Sequence, residues 1–141
     1  MKYYINTIID SEFEQAIHLV TESLKVEGFG VISEIDIQQK LKEKLDMDFR
    51  KYLILGACIP AKAFQALEQE DKIGTLLPCN VILQEIGENK IEVAAVDPVV
   101  SMISVGNESL GVIANEIKEK LQRVIESIYN TSENTLDNKR I

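Results

Sequence analysis

The chain has 141 residues, 45% hydrophobic and 27% charged, the composition of one ordinary globular domain that needs no disulfide or metal to fold. Its 23 carboxylates against 15 Lys and Arg leave a net charge of -8, which repels phosphate backbones and argues against a nucleic-acid partner. No apolar run approaches the roughly 18 residues of a membrane span, and the start lacks a signal-peptide core, so the expected place is the cytoplasm, with the two cysteines as reduced thiols.

Lys2 to Ile9 alternates and is rich in β-branched and aromatic residues, which predicts a strand. Ser11 and Glu14 stand at the spacing of a capping box, and Phe13, Ala16, Ile17, Val20 and Leu24 follow at helical intervals until Gly28. Phe29 to Ile35 reads as a second strand. Asp36 then caps a short helix in which Ile37, Leu41 and Leu45 recur every four residues, with Lys40, Lys42, Glu43 and Lys44 forming a solvated charged face. Lys51 to Ala57 is a central strand, and its consecutive Leu53, Ile54 and Leu55 imply burial on both faces. Pro60 opens a helix to about Glu70, because its missing N–H would have no partner at the first helical position.

Cys79 to Ile86 and Lys90 to Val96 are two strands joined by Gly87-Glu88-Asn89, an antiparallel hairpin. Asp97-Pro98 breaks the ladder, and Val99 to Val105, whose apolar residues fit either a strand or a helical turn, is read as a short irregular helix over the sheet. Asn107 caps a long helix with a stripe of Leu110, Ile113, Ala114, Ile117, Leu121, Val124 and Ile128. Residues 130–141 carry too little apolar surface to order themselves and are read as a frayed polar tail beyond one domain of residues 1–129. Strands interrupted by helices, with one clear hairpin, predict an α+β domain: a mostly antiparallel sheet with helices packed on one face.

Three blocks can be read together: Gly28 to Asp36, Ile54 to Pro60 and Leu76 to Val81. In this order and spacing they resemble the signature blocks of the bacterial and archaeal family called domain of unknown function 302, over about Met1 to Tyr129. The resemblance implies a curved antiparallel sheet with helices on one side, similar to the TATA-binding-protein-like arrangement, and a homodimer. It implies no established activity. One position departs from the family pattern, which usually has Asn where this chain has Ile59.

Cys58 stands just before a helix N-terminus, where the dipole can lower a thiol's pKa, but a free cysteine also packs readily as a small hydrophobe. Cys79, between Pro78 and Asn80, divides the same way. The 20 residues between the two cysteines fit no zinc or thioredoxin motif, and one histidine adds little to a metal site unless Glu34 or Asp97, or a second subunit, completes it. Spacing leaves open whether Cys58 and Cys79 are neighbours or lie at opposite ends of the sheet. His18 reads as a boundary or surface residue, Asp97 as a turn former, and no glycine-rich phosphate cradle is present. The expectation is a homodimeric domain binding a small molecule or ion in a cleft near Glu34, Cys58, Cys79 and Asn80, with cofactor and metal unassigned. The alternative is a thiol-based redox or metal-dependent enzyme or sensor using Cys58 and Cys79.

Overall fold

The computed structural model describes residues 2–140. Five strands alternate with helices: β1 (Tyr4–Asp10), α1 (Phe13–Val26), β2 (Gly30–Asp36), α2 (Ile37–Leu45), β3 (Tyr52–Cys58), α3 (Pro60–Gln69), β4 (Cys79–Gly87), β5 (Lys90–Val96), α4 (Pro98–Met102) and α5 (Ser109–Arg140). Tight 3-10 turns follow α3 over Asp71–Leu76 and α4 over Ile103–Val105. The strands form one open antiparallel sheet in the order β1-β5-β4-β3-β2. The expected α+β class and the hairpin between β4 and β5 are both present.

The sheet has one covered face. Ile9, Leu53, Leu55, Val81, Leu83, Ile91 and Val93 point to the same side, as period-two alternation requires, and meet Ala16, Val20 and Leu24 of α1 and Leu121, Val124 and Ile128 of α5. Ala66, Ile73, Met102, Leu110 and Ala114 build a second, smaller cluster, and Ile113 packs against both. The stripe of α5 therefore joins two cores: its first turns cover the end of the sheet where β3 stops and β4 starts, and its later turns cover the centre.

Several local expectations are corrected. Ser11 does not cap α1; the N-cap is Glu12, which makes no side-chain cap bond, and the Ser11 hydroxyl donates to the Glu12 carbonyl instead. The run Leu53-Ile54-Leu55 is not buried on both faces, since Leu53 and Leu55 enter the core while Ile54 is half-buried on the uncovered side. Consecutive apolar residues report that neither face is fully wet, and neighbouring side chains in the sheet supply the shielding that a second helical layer would have given. Helix α5 extends through Arg140, across the segment whose composition reads as a polar tail, and Ser132 is buried. Met1 and Ile141, at the ends of the two sequence-assigned segments, lie outside the described residues.

Other caps follow the sequence. Asp36 Oδ1 accepts the Gln39 amide at 2.9 Å, and Asn107 Oδ1 accepts the Ser109 amide at 3.1 Å. Gly28 ends α1 at φ 91°, a left-handed conformation that costs a glycine little.

Candidate functional site

The register of β3 against β4 decides how the four candidate residues are distributed. Ala57 pairs with Cys79 and Gly56 with Asn80, so Cys58, one residue further on, is next to Cys79 at the same end of the sheet. Alternation then sends Cys79 to the helix-covered side and Asn80 to the open side. Glu34 is exposed on the edge strand β2, opposite Leu55, and lines neither of the two concavities described below. The expected single cleft is thus divided: Cys58 and Cys79 share a site, Asn80 belongs to another, and Glu34 stands apart.

The cysteines line a small cavity of about 30 Å³ between the sheet end, α3 and the start of α5. Phe29, Ala57, Ile59, Ala63, Ala66, Leu77, Ile113 and Ile117 make its walls apolar, and Met102 adds a thioether. Lys62, whose ammonium pairs with Glu116 of α5, is the one charged residue in the lining. Both thiols are free. Burial pushes the Cys79 thiol up to about 11, with repulsion from Cys58 as the smaller cause, and burial also raises Cys58. The helix N-terminus that favours a thiolate at Cys58 is therefore outweighed by desolvation. Ile59 occupies the N-cap of α3 without a side-chain cap bond and packs against the core.

The second concavity, of about 390 Å³, lies on the open face, where Tyr4, Tyr52, Asn80, Ile82, Gln84, Glu92 and Ala94 contribute to the lining. A chain of hydrogen bonds crosses it from β1 to the start of β3. Lys2 Nζ donates to Asn6 Oδ1 at 3.0 Å, Asn6 Nδ2 to Glu92 Oε2 at 2.9 Å, Gln84 Nε2 to Glu92 Oε1 at 2.8 Å, and Arg50 Nε to Gln84 Oε1 at 2.8 Å. Both oxygens of the half-buried Glu92 carboxylate are thereby held, while cations stand at both ends of the row. The Asn80 amide makes no hydrogen bond within the chain and is exposed. Beside it, Gly56 is closely covered: a Cβ there would stand 2.1 Å from Ser33 Oγ and 2.6 Å from Pro78 Cγ. Sequence reading passed over Gln84 and Glu92, yet Asn80, Ile82 and Gln84 share one face by alternation, and that register was the available signal.

Asp97 is more than a turn former. Its carboxylate is buried, Oδ1 accepts the Val99 and Val100 amides at 3.0 and 3.3 Å, and Oδ2 pairs with Lys118 Nζ at 3.0 Å. It ties α4 to α5. His18 is exposed, as expected for a surface residue. Among the described residues, no three His, Cys, Asp or Glu side chains converge as a metal site, and no buried side-chain nitrogen or oxygen lacks a partner. No helix among them is long and apolar enough to cross a membrane.

Comparison with known proteins agrees with the geometry. The family model described as domain of unknown function DUF302 matches residues 5–128. The fold is similar to that of a crystal structure titled uncharacterized conserved protein DUF302 from Bacillus stearothermophilus, with a TM-score of 0.83 and 25% identity, covering 91% of this chain and 99% of that one. No curated protein matches. The chain belongs to the DUF302 family.

Proposed function

We propose that this chain is a homodimeric binding domain that takes a small polar molecule on the open face of its sheet. The observation that carries the reading is the depression of about 390 Å³ in which an unpaired Asn80 amide faces a prearranged row of Gln84, Glu92 and the rings of Tyr4 and Tyr52. Few, fixed polar groups on a largely apolar concavity are the usual make-up of a small-molecule site. Glu92 is held at both oxygens, so its role is to orient the Asn6 and Gln84 amides, and the ligand's own contacts fall to Asn80 and the tyrosine rings.

The dimer rests on the family resemblance and on the half-exposed apolar strip of Ile35, Ile54 and Ile82 across three neighbouring strands of the same face. A second copy over that strip would close the depression from above. Thiol catalysis is the weaker reading, because both cysteines are pushed away from the thiolate that a nucleophile needs.

The test is a thermal-shift screen of the full chain against small polar metabolites, with light scattering for subunit count. A compound that raises the melting temperature of the native chain and loses most of that effect in Asn80→Ala supports the site. A hit unaffected by Asn80→Ala and by Tyr52→Ala refutes it, as does a screen with no hit. A monomer at all accessible concentrations refutes the dimer.

A further inference from the structure

The cysteine cavity is separate from the open face and carries a different chemistry. The chain contains five sulfur-bearing residues, two Cys and three Met, and three of them, Cys58, Cys79 and Met102, line this one cavity of about 30 Å³. They come from three elements: the end of β3, the start of β4 and the end of α4. Cysteine and methionine can each serve as ordinary packing groups, and what sets this cavity apart is that three of them converge on it from separate elements.

Ligand softness decides what such a set would hold. Thiolate and thioether donors select soft ions such as Cu(I), whereas Mg²⁺ and Ca²⁺ need oxygen ligands and Mg²⁺ usually keeps several waters. This lining offers no carboxylate, imidazole or hydroxyl, and a cavity of about 30 Å³ has no room for a hydrated ion. Structural zinc takes four ligands and catalytic zinc three plus a water, and a water here would lack the two to four polar partners that hold one in place. A low-coordinate ion that sheds its water completely is the class that fits.

We propose that Cys58, Cys79 and Met102 form a binding site for one monovalent copper ion. Binding is an exchange of ligands without electron transfer. Cu(I) arrives already reduced from a donor, two S–H bonds break, two Cu–S bonds form, and two protons leave to solvent. The thioether of Met102 completes the set as a neutral donor. Two thiolates and Cu(I) leave one net negative charge, and the nearest cation in the lining is the Lys62 ammonium, which Glu116 also holds.

The experiment uses the full-length chain, purified reduced and metal-free under anaerobic conditions. It is titrated with Cu(I) carried by a coloured chelator, first a weak one and then bathocuproine disulfonate, and loss of the chelator complex reports transfer. The expected result is one equivalent per chain. Cys58→Ala and Cys79→Ala should abolish the transfer while circular dichroism shows the native fold. Met102→Leu, which keeps nearly the same volume, should keep the stoichiometry and weaken retention by about tenfold or more, the scale at which lost supporting ligands act. The proposal is overturned if the native chain takes no copper even from the weak chelator, if the cysteine variants bind as the native chain does, if equimolar Zn²⁺ displaces the copper, or if Met102→Leu retains copper unchanged. Should a cysteine variant fail to fold, the native titration and Met102→Leu still decide.

Discussion

The thiol and binding readings part most sharply at Cys79 in the metal-free, reduced protein. The thiolate is the species that reacts with iodoacetamide, so the rate follows the ionised fraction. With the thiol moved from 9.0 to about 11, that fraction at neutral pH is about 100-fold smaller than for an unburied cysteine, tenfold for each pKa unit. Cys58 is shifted in the same direction and should also lag behind free cysteine, by a smaller factor because it is more open. The assay is timed alkylation at pH 7 followed by peptide mapping, with free cysteine in the same tube. In Cys58→Ser the Cys79 thiol should stay slow, because burial is the larger cause and the Cys58 charge the smaller. Alkylation of native Cys79 within about tenfold of free cysteine would refute the burial argument. Alkylation of Cys58 faster than free cysteine would restore it as a nucleophile.

The same shift has a consequence for stability. Below pH 9 the thiol is protonated in both folded and unfolded chains and contributes no pH dependence. Between 9 and about 11 the unfolded chain gives up its proton first, so folding weakens as pH rises, by at most about 2–3 kcal/mol at 1.36 kcal/mol per unit. Urea denaturation of the native chain minus that of Cys79→Ala should show this loss over that window, and a flat difference would contradict it.

Three further outcomes test the architecture. Asp97→Ala should cost about 2–4 kcal/mol in urea denaturation, combining a lost cap with an unpaired Lys118, whereas Asp97→Asn keeps an acceptor for Val99 and Val100 and should cost about half as much. Gly56→Ala should destabilise by about 1–3 kcal/mol through overpacking, and adding Ser33→Ala should recover only part of it, because Pro78 Cγ remains 2.6 Å from the new methyl position. Ile82→Glu on the open face should leave circular dichroism unchanged and shift sedimentation from dimer to monomer; a dimer that survives it places the interface elsewhere.

Elements with a strong period were legible in the residues. The stripe of α5 from Leu110 to Ile128, the Asp36 and Asn107 caps and the β4–β5 hairpin all carry local signals, and the structure repeats them, whereas the apolar residues after Pro98 fitted strand and helix alike and form α4 with a 3-10 turn. Ser11 was misread because a capping box is a spacing pattern that other hydrogen bonds can outbid: the hydroxyl found the Glu12 carbonyl first. The double role of Asp97 was invisible because Lys118 is 21 positions away and joins it only after α5 has folded back along the sheet. Proximity of the cysteines had the same character. No local pattern records it, and the pairing of Ala57 with Cys79 creates it.

The candidate cleft failed as one site for a single geometric reason. Cys79 and Asn80 are adjacent in sequence, and adjacency in a strand means opposite faces. Reading them together placed a thiol from the helix-covered side beside an amide from the uncovered side, with the whole sheet between them. The division gives each face the chemistry its surroundings permit. Under α3 and α5, apolar walls partly bury the thiols and raise their pKa values, and a partner able to displace their protons has use for them. On the other face the Asn80 side chain is exposed within the chain, and Glu92 stays half-buried under a row of hydrogen bonds. Gly56, beside Asn80 in the register, is covered by the side chains of Ser33 and Pro78, which leave no room for a Cβ there. A change on one face should therefore leave the other intact, which is why the copper titration and the metabolite screen can fail or succeed independently.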